Sequence, residues 1–309
     1  MKNIGILGGG QLGRMLLQAA ANYPVQTFLM ENDDHCPAAH LCHHFIKGDI
    51  KKFEDVYNFG KNLDAITIEI ESVNVDALEK LESEGVKIYP KPATLKLIKN
   101  KILQKQFYKQ NEIPTSEFII TQHAAELKEH INFLPAVHKI GEGGYDGKGV
   151  QLLKTKEDIT KGFNEPAILE KLVTIKKEIA VIIGVADNGE NALYPSIDMV
   201  FDQRLNLLDY QLSPADLSDK VLWKVEAIAL KVVKDLKSPG IFAVELFVDM
   251  DGERKMQNHH LILFETLQTL GHIATSANVH DVMVTSGLFD IIKMSWDKYP
   301  HNEQLHNCI

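Results

Sequence analysis

Cysteine is nearly absent from this chain: Cys36, Cys42 and Cys308 are the three among 309 residues. An odd and sparse set excludes a disulfide-stapled scaffold as the source of stability. No apolar run approaches the ~18 residues that a membrane-crossing helix needs. The opening residues, MKNIGILGGGQLG, go straight into a strand-and-turn pattern without a signal-peptide cleavage pattern. The expectation is a cytoplasmic protein with no membrane partner. Basic residues are the minority, 33 Lys and Arg against 42 Asp and Glu, for a formal net charge of -9. That balance argues against a nucleic-acid partner, which would require a basic face. It leaves small anions open, since a few lysines, backbone amides and a metal can hold phosphate inside an acidic protein. What the chain does have is apolar material for real cores, at 45% hydrophobic and 24% charged residues. Its length predicts two or three compact units.

Over roughly the first 95 residues, short apolar strands (residues 2–8, VQTFLMEN, DAITIEI, VKIYP) alternate with helical or turn segments. That alternation predicts a parallel α/β sheet with crossover helices. KPATLKLIKNKILQKQFYKQNEIPTSEFI reads as helix until Pro114 and then as extended chain, the signature of a junction. From Leu134 onward, LPAVHKI, GVQLLK, AILEKLV, KEIAVIIGV and ENALYPSID predict antiparallel strands in an α+β arrangement. The helical repeat LSDKVLWKVEAIALKVVKDLK follows, closed by Ser238-Pro239-Gly240, and then the strand IFAVELFVDM.

Gly8, Gly10 and Gly13 fit G-x-G-x-x-G between a strand and a helix, with Glu31 at the end of the next strand. This is the dinucleotide fingerprint, in which glycines let a phosphate approach a helix N-terminus. A nicotinamide cofactor, another phosphate ligand and a purely structural turn are all compatible with it. Against nicotinamide stands the absence of a second domain with a hydride-transfer acid or base.

The second glycine loop is more informative. HKIGEGGYDGKGV puts Lys139 at the end of an apolar strand, then Gly143, Gly144, Gly147 and Gly149 around Tyr145, Asp146 and Lys148. Such a loop can fold over a polyphosphate and donate several N–H groups, with Lys139 and Lys148 as point charges; a flexible hairpin tip is the bland alternative. Further on, the strand end Glu170, Lys171, Leu172 and Val173 can present backbone groups to an adenine edge, and Glu178 a carboxylate to ribose hydroxyls. For Glu170 and Glu178 taken singly the alternative is a solvated charge, a stronger alternative than the hairpin tip is for the loop. Glu245 lies in a strand as an acid of the kind that binds a metal.

Other features carry less. Cys36, His40, Cys42, His43 and His44 are close but irregularly spaced, so DDHCPAAHLCHHF reads as a solvated loop more than a zinc site. Trp223 and Trp296 sit in helical patterns that predict core or partly buried positions. The lysines of KLIKNKILQKQFYK read as a solvated helix face, with Lys101 the exception.

The order of these parts, with GGGQLGRML, TIEIESVNVDAL, IPTSEF, GGYDGKGV and GIFAVELFVD, resembles the ATP-grasp superfamily. More narrowly, it is similar to the N5-carboxyaminoimidazole ribonucleotide synthetases, from residue 1 to about Gly252. The resemblance implies a Rossmann-like parallel sheet followed by an ATP-grasp fold of antiparallel sheets. Its units would be residues 1–98, a small subdomain with a glycine flap over 99–172, and a large subdomain over 173–309.

It also implies ATP and Mg2+, with bicarbonate activated as carboxyphosphate and aminoimidazole ribonucleotide carboxylated on its exocyclic amine, in a homodimer. For ATP the matching positions are Lys101, Lys139, the flap from Gly144 through Tyr145, Asp146, Gly147, Lys148 and Gly149 to Val150, the hinge Glu170 to Val173, and Glu178. For the ribonucleotide they are Gln11, Leu12, Glu69 or preferably Glu71, Tyr145 and Lys148, with Lys139, Lys148 and Tyr145 nearest the chemistry.

Glu245 matches the first magnesium acid. After Lys255 the family's second-acid segment does not follow, and the nearest echo is Phe264-Glu265. Either Glu265 takes the missing acid's place, or the sequence from about Met256 is read in a shifted frame or replaced. The matching functions are an active synthetase or an inactive ATP-binding relic.

Overall fold

In the first sheet, strand β1 (Lys2–Leu7) buries every residue from Ile4 to Leu7, as a parallel strand covered on both faces must. It pairs in parallel with β2 (Val25–Glu31) and β4 (Ala65–Ile68). With β3 (His44–Lys47) and β5 (Lys87–Tyr89) the order is β3-β2-β1-β4-β5. Helices α1 (Gln11–Ala20), α2 (Phe53–Gly60) and α3 (Val75–Ser83) connect the strands. The computed structural model of the chain describes residues 1–143, 149–202, 207–249 and 256–263.

The DDHCPAAHLCHHF segment is less solvated than its composition predicts. Cys36 and Ala38 are buried against Ile6, Leu17 and Leu29, and His44 opens β3. Burial pushes both the Cys36 and Cys42 thiols up. Among the described residues no group of three His, Cys, Asp or Glu side chains is placed to hold a metal.

The long helix predicted up to Pro114 is two helices, α4 (Pro92–Lys99) and α5 (Lys101–Gln110). Asn100 separates them because its side chain competes with the helical backbone. In extended conformation, its Oδ1 accepts from the amides of Ile102 (2.9 Å) and Leu103 (3.0 Å) and so caps α5. Lys101 thereby becomes the first residue of a helix, and its amide reaches back to the Gly141 carbonyl at 2.8 Å.

Strands β6 (Phe118–Thr121), β7 (Ala136–Ile140), β8 (Val150–Leu153) and β9 (Ala167–Lys171) form an antiparallel sheet in the order β6-β9-β7-β8. The large sheet runs β13 (Leu207–Leu212), β12 (Ile197–Asp202), β10 (Ile175–Val185), β14 (Gly240–Asp249), β15 (Met256–Leu263), with β11 (Asn191–Leu193) also on β10. On one face of β10 and β14, Ile179, Val181, Ile183, Val244 and Leu246 meet Val225, Ala229 and Val232 of α6 (Asp219–Leu236). The same apolar cluster continues through Tyr108, Ile98 and Leu95 to Leu78 and Ile66, so the first sheet and the large sheet share a core. Each fully buried Leu, Ile or Val in it contributes about 1.5–3 kcal/mol. Asp187 ties the same two sheets at the surface, accepting from Lys87 Nζ (2.9 Å) and the Tyr89 hydroxyl (2.8 Å).

Trp223 departs from expectation. It is 78% exposed on α6, because the buried stripe of that helix runs through Val221, Val225 and Ala229 and leaves position 223 facing outward. Trp223→Gln is therefore expected to change unfolding free energy by no more than about 0.5 kcal/mol, as at other exposed sites, measured by urea denaturation. Trp296 lies outside the described residues. Among those described, no helix is long and apolar enough to cross a membrane.

Candidate functional site

The first glycine turn is filled by the protein's own carboxylates. Glu69, at the end of β4, accepts from the Gly10 amide (2.8 Å) through Oε2 and the Leu12 amide (3.2 Å) through Oε1. Glu31, at the end of β2, accepts from the Gly9 amide at 3.0 Å. These bonds use the N-terminal amides of α1 that a dinucleotide pyrophosphate would need. Gly8 adopts a φ of +108°, and a Cβ there would meet the Glu69 side chain at 2.7 Å, while one at Gly9 would meet Glu31 at 3.1 Å. Leu12 is buried with its amide committed to Glu69, whereas Gln11 is exposed.

Of the two acids in Glu69-Ile70-Glu71, then, Glu69 is committed to the turn. Glu71 is different: its Oε2 is buried and has no hydrogen-bond partner. Its negative charge acts on Lys101, which stands at the head of α5. Burial lowers the Lys101 ammonium pKa, repulsion from Lys139 lowers it further, and Glu71 opposes both. Lys101 thus feels both Lys139 and Glu71, and its amide bond to the Gly141 carbonyl ties the head of α5 to the residue that follows β7.

Lys139 belongs to a second cluster. Its Nζ donates to Glu170 Oε2 at 2.8 Å, while Lys105 Nζ donates to Glu170 Oε1 at 2.6 Å and to Thr115 Oγ1 at 2.5 Å. The three side chains are 7%, 5% and 3% exposed for Lys139, Glu170 and Lys105. Burial pushes the Glu170 carboxyl up, but the two ammonium groups outweigh it and hold the pKa down at about 2. Burial lowers Lys105 in turn, against the pull of Glu170.

The lysine-rich stretch is therefore not a solvated face throughout. Lys105 lies one turn after Lys101 and one before buried Tyr108, on the side of α5 that faces β9. That i, i+4 spacing from Lys101 was the available signal for it.

The second glycine loop begins and ends in conformations that favour glycine, with φ of +81° at Gly143 and +88° at Gly149. Val150, paired with Lys139 across β7 and β8, is exposed. Gly144, Tyr145, Asp146, Gly147 and Lys148 lie outside the described residues. At the hinge, the Lys171 amide bonds the Glu117 carbonyl (2.9 Å) and the Leu172 amide the Pro135 carbonyl (3.2 Å). Lys171 Nζ donates to the Phe133 carbonyl at 2.9 Å and sits over the Phe133 ring.

On β10, Glu178 is half-buried, and burial raises its carboxyl pKa. Ala180 lies opposite Glu245 and Glu178 opposite Phe247, so the two acids are diagonal neighbours on one face of the large sheet. Across β15 the register places His260 opposite Glu245. Glu265 lies outside the described residues. Hard oxygen donors suit Mg2+, which takes one or two carboxylates and completes its shell with phosphate and water. Glu245 fits that donor chemistry; histidine does not supply it.

Comparison with known proteins agrees with this layout. A ribonucleotide synthetase preATP-grasp domain model matches residues 1–99 and an ATP-grasp domain model matches residues 106–258. The chain is 33% identical over 260 residues to the chloroplastic phosphoribosylaminoimidazole carboxylase of Vigna aconitifolia, covering 81% of this chain and 45% of that protein. It spans about half the length of the plant and yeast carboxylases it matches. It is 31% identical to the structure of N5-carboxyaminoimidazole ribonucleotide synthetase from Thermotoga maritima, with TM-score 0.75, covering 84% of this chain and 68% of that one. The Aspergillus clavatus enzyme, solved with ADP and 5-aminoimidazole ribonucleotide, is 29% identical with TM-score 0.74, over 84% of this chain and 69% of that one.

Proposed function

We propose that this chain, which belongs to the N5-carboxyaminoimidazole ribonucleotide synthetase family of ATP-grasp proteins, uses ATP to carboxylate 5-aminoimidazole ribonucleotide with bicarbonate. A bicarbonate oxygen attacks the γ-phosphorus, ADP leaves, and carboxyphosphate forms. The exocyclic amine then attacks the carboxyl carbon, a proton leaves nitrogen and phosphate departs. Such chemistry depends on positioning and charge neutralisation more than on a protein nucleophile.

The observation that carries this reading is the placement of Lys101 and the buried Lys139 at the start of the glycine loop, where the Lys101 amide bonds the Gly141 carbonyl at 2.8 Å. In it, Lys101 and Lys139 hold the nucleotide phosphates, and the flap from Gly144 to Val150 closes over them. The hinge offers backbone to adenine. Because the Lys171 and Leu172 amides are already engaged, the N–H of that contact falls to Val173, between β9 and β10. Glu178 takes the ribose. Its raised pKa suits a site where hydroxyl donors satisfy a half-buried carboxylate.

Glu71 and Gln11 face the ribonucleotide together with Tyr145 and Lys148, while Glu69 keeps the turn in shape. Mg2+ would be held by Glu245, with Glu265 as its second acid, and would supply neutralisation of phosphate charge. The units 1–98, 99–172 and 173–309, a homodimer and a cytoplasmic setting complete the proposal.

The test is a coupled assay of ADP release with product identification. The expected result is ATP consumption that requires both bicarbonate and aminoimidazole ribonucleotide. Consumption independent of either substrate overturns the reading, whereas ATP-induced thermal stabilisation without any product identifies an inactive ATP-binding relic.

A further inference from the structure

We infer that Lys105 is a positioning residue: it is the standing counter-ion of Glu170, and it releases Lys139 to the nucleotide. The inference rests on the ATP reading above. Glu170 has two carboxylate oxygens, and each accepts from one lysine, Oε1 from Lys105 and Oε2 from Lys139. The two lysines are not equivalent. Lys105 is fixed on the inner side, with Thr115 Oγ1 as a second acceptor and the Phe118 ring 5.9 Å from its ammonium. Lys139 has no second acceptor among the described residues; it lies near the end of β7, just before the glycine loop, where its charge repels that of Lys101.

An anion arriving at Lys101 and Lys139 draws the Lys139 ammonium away from Oε2. A buried carboxylate stripped of its sole cation is costly, so a Glu170 held by Lys139 alone would compete with the phosphate. With Lys105 in place, Glu170 keeps a charge-assisted bond and a neutralising partner throughout. The triad carries two positive charges for one negative, and the surplus is on the side that meets the nucleotide.

The test is calorimetric titration of Mg-ATP into the full chain and two variants, with thermal melts as a folding control. Lys105→Met is expected to weaken ATP binding about tenfold or more, the size of one charge-assisted hydrogen bond. Lys105→Met/Glu170→Gln removes the competing acid with its counter-ion and is expected to restore binding to near the wild-type value. A passive packing role for Lys105 does not produce that rescue. Equal binding by wild type and Lys105→Met overturns the inference alone, as does a double variant as weak as the single one. Failure of the wild-type chain to bind ATP overturns the nucleotide reading and this inference with it. Should Lys105→Met not fold, the double variant decides, near-wild-type binding supporting the assignment and binding about tenfold weaker overturning it.

Discussion

Glu170→Gln is expected to lower unfolding free energy by about 3–5 kcal/mol, the usual cost of breaking a buried ion pair from one side. The change leaves Lys105 and Lys139 buried with no counter-charge. A glutamine oxygen can accept from one ammonium, but its NH2 group then points a donor at the other. At 2–4 °C per kcal/mol for a domain of about 150–250 residues, the melting temperature falls roughly 6–20 °C.

The pH dependence fixes the cause. The native Glu170 pKa is about 2 against a usual 4.5. A carboxyl depressed on folding stabilises the protein above its unfolded pKa, and the contribution is lost as pH falls through the folded value. The gap between wild type and Glu170→Gln should be constant near neutrality and close between about pH 4.5 and 2. Burial already lowers Lys105, so the variant should recover partly in alkali as that lysine sheds its proton. Melting temperatures within a degree or two of wild type at neutral pH would mean that the triad adds no stability.

The parallel first sheet was legible because its evidence is local. Strands β1, β2, β4 and β5 are short apolar runs that follow the alternation of strand and crossover, whereas β3 begins inside the segment whose composition reads as a solvated loop. The division of the lysine-rich helix was less legible. Composition favours helix across Lys99-Asn100-Lys101, and only the bonds of the Asn100 side chain to the next turn decide for a break.

Lys105 was misread for a different reason. Lysine is solvated unless a partner draws it in, and that partner, Glu170, is 65 residues away. The glycine turn shows both sides of this. G-x-G-x-x-G correctly marks a strand, a turn and a helix N-terminus. What occupies the turn depends on Glu69, 59 residues from Gly10, so the fingerprint suggested a phosphate where the fold supplies a carboxylate. Trp223 shows the limit of periodicity: an apolar residue in an amphipathic helix need not lie on the buried stripe.

Lys139→Met should separate binding from stability in the opposite sense to Glu170→Gln. If Lys139 holds the nucleotide phosphates as proposed, removing its ammonium takes one charge-assisted bond from them, and ATP affinity by calorimetry is expected to fall about ten- to hundredfold. Stability is expected to hold or rise. Glu170 retains Lys105 at 2.6 Å, and the triad changes from one surplus positive charge to a neutral pair. Methionine fills a similar volume at a site 7% exposed without requiring a polar partner. A melting temperature that falls as far as in Glu170→Gln would make Lys139 a structural counter-ion first. Undiminished ATP affinity would remove it from the phosphate site, leaving Lys101 as the described cation there. Weaker ATP binding with an unchanged or higher melting point is the signature of a lysine held in reserve by Glu170 for its ligand.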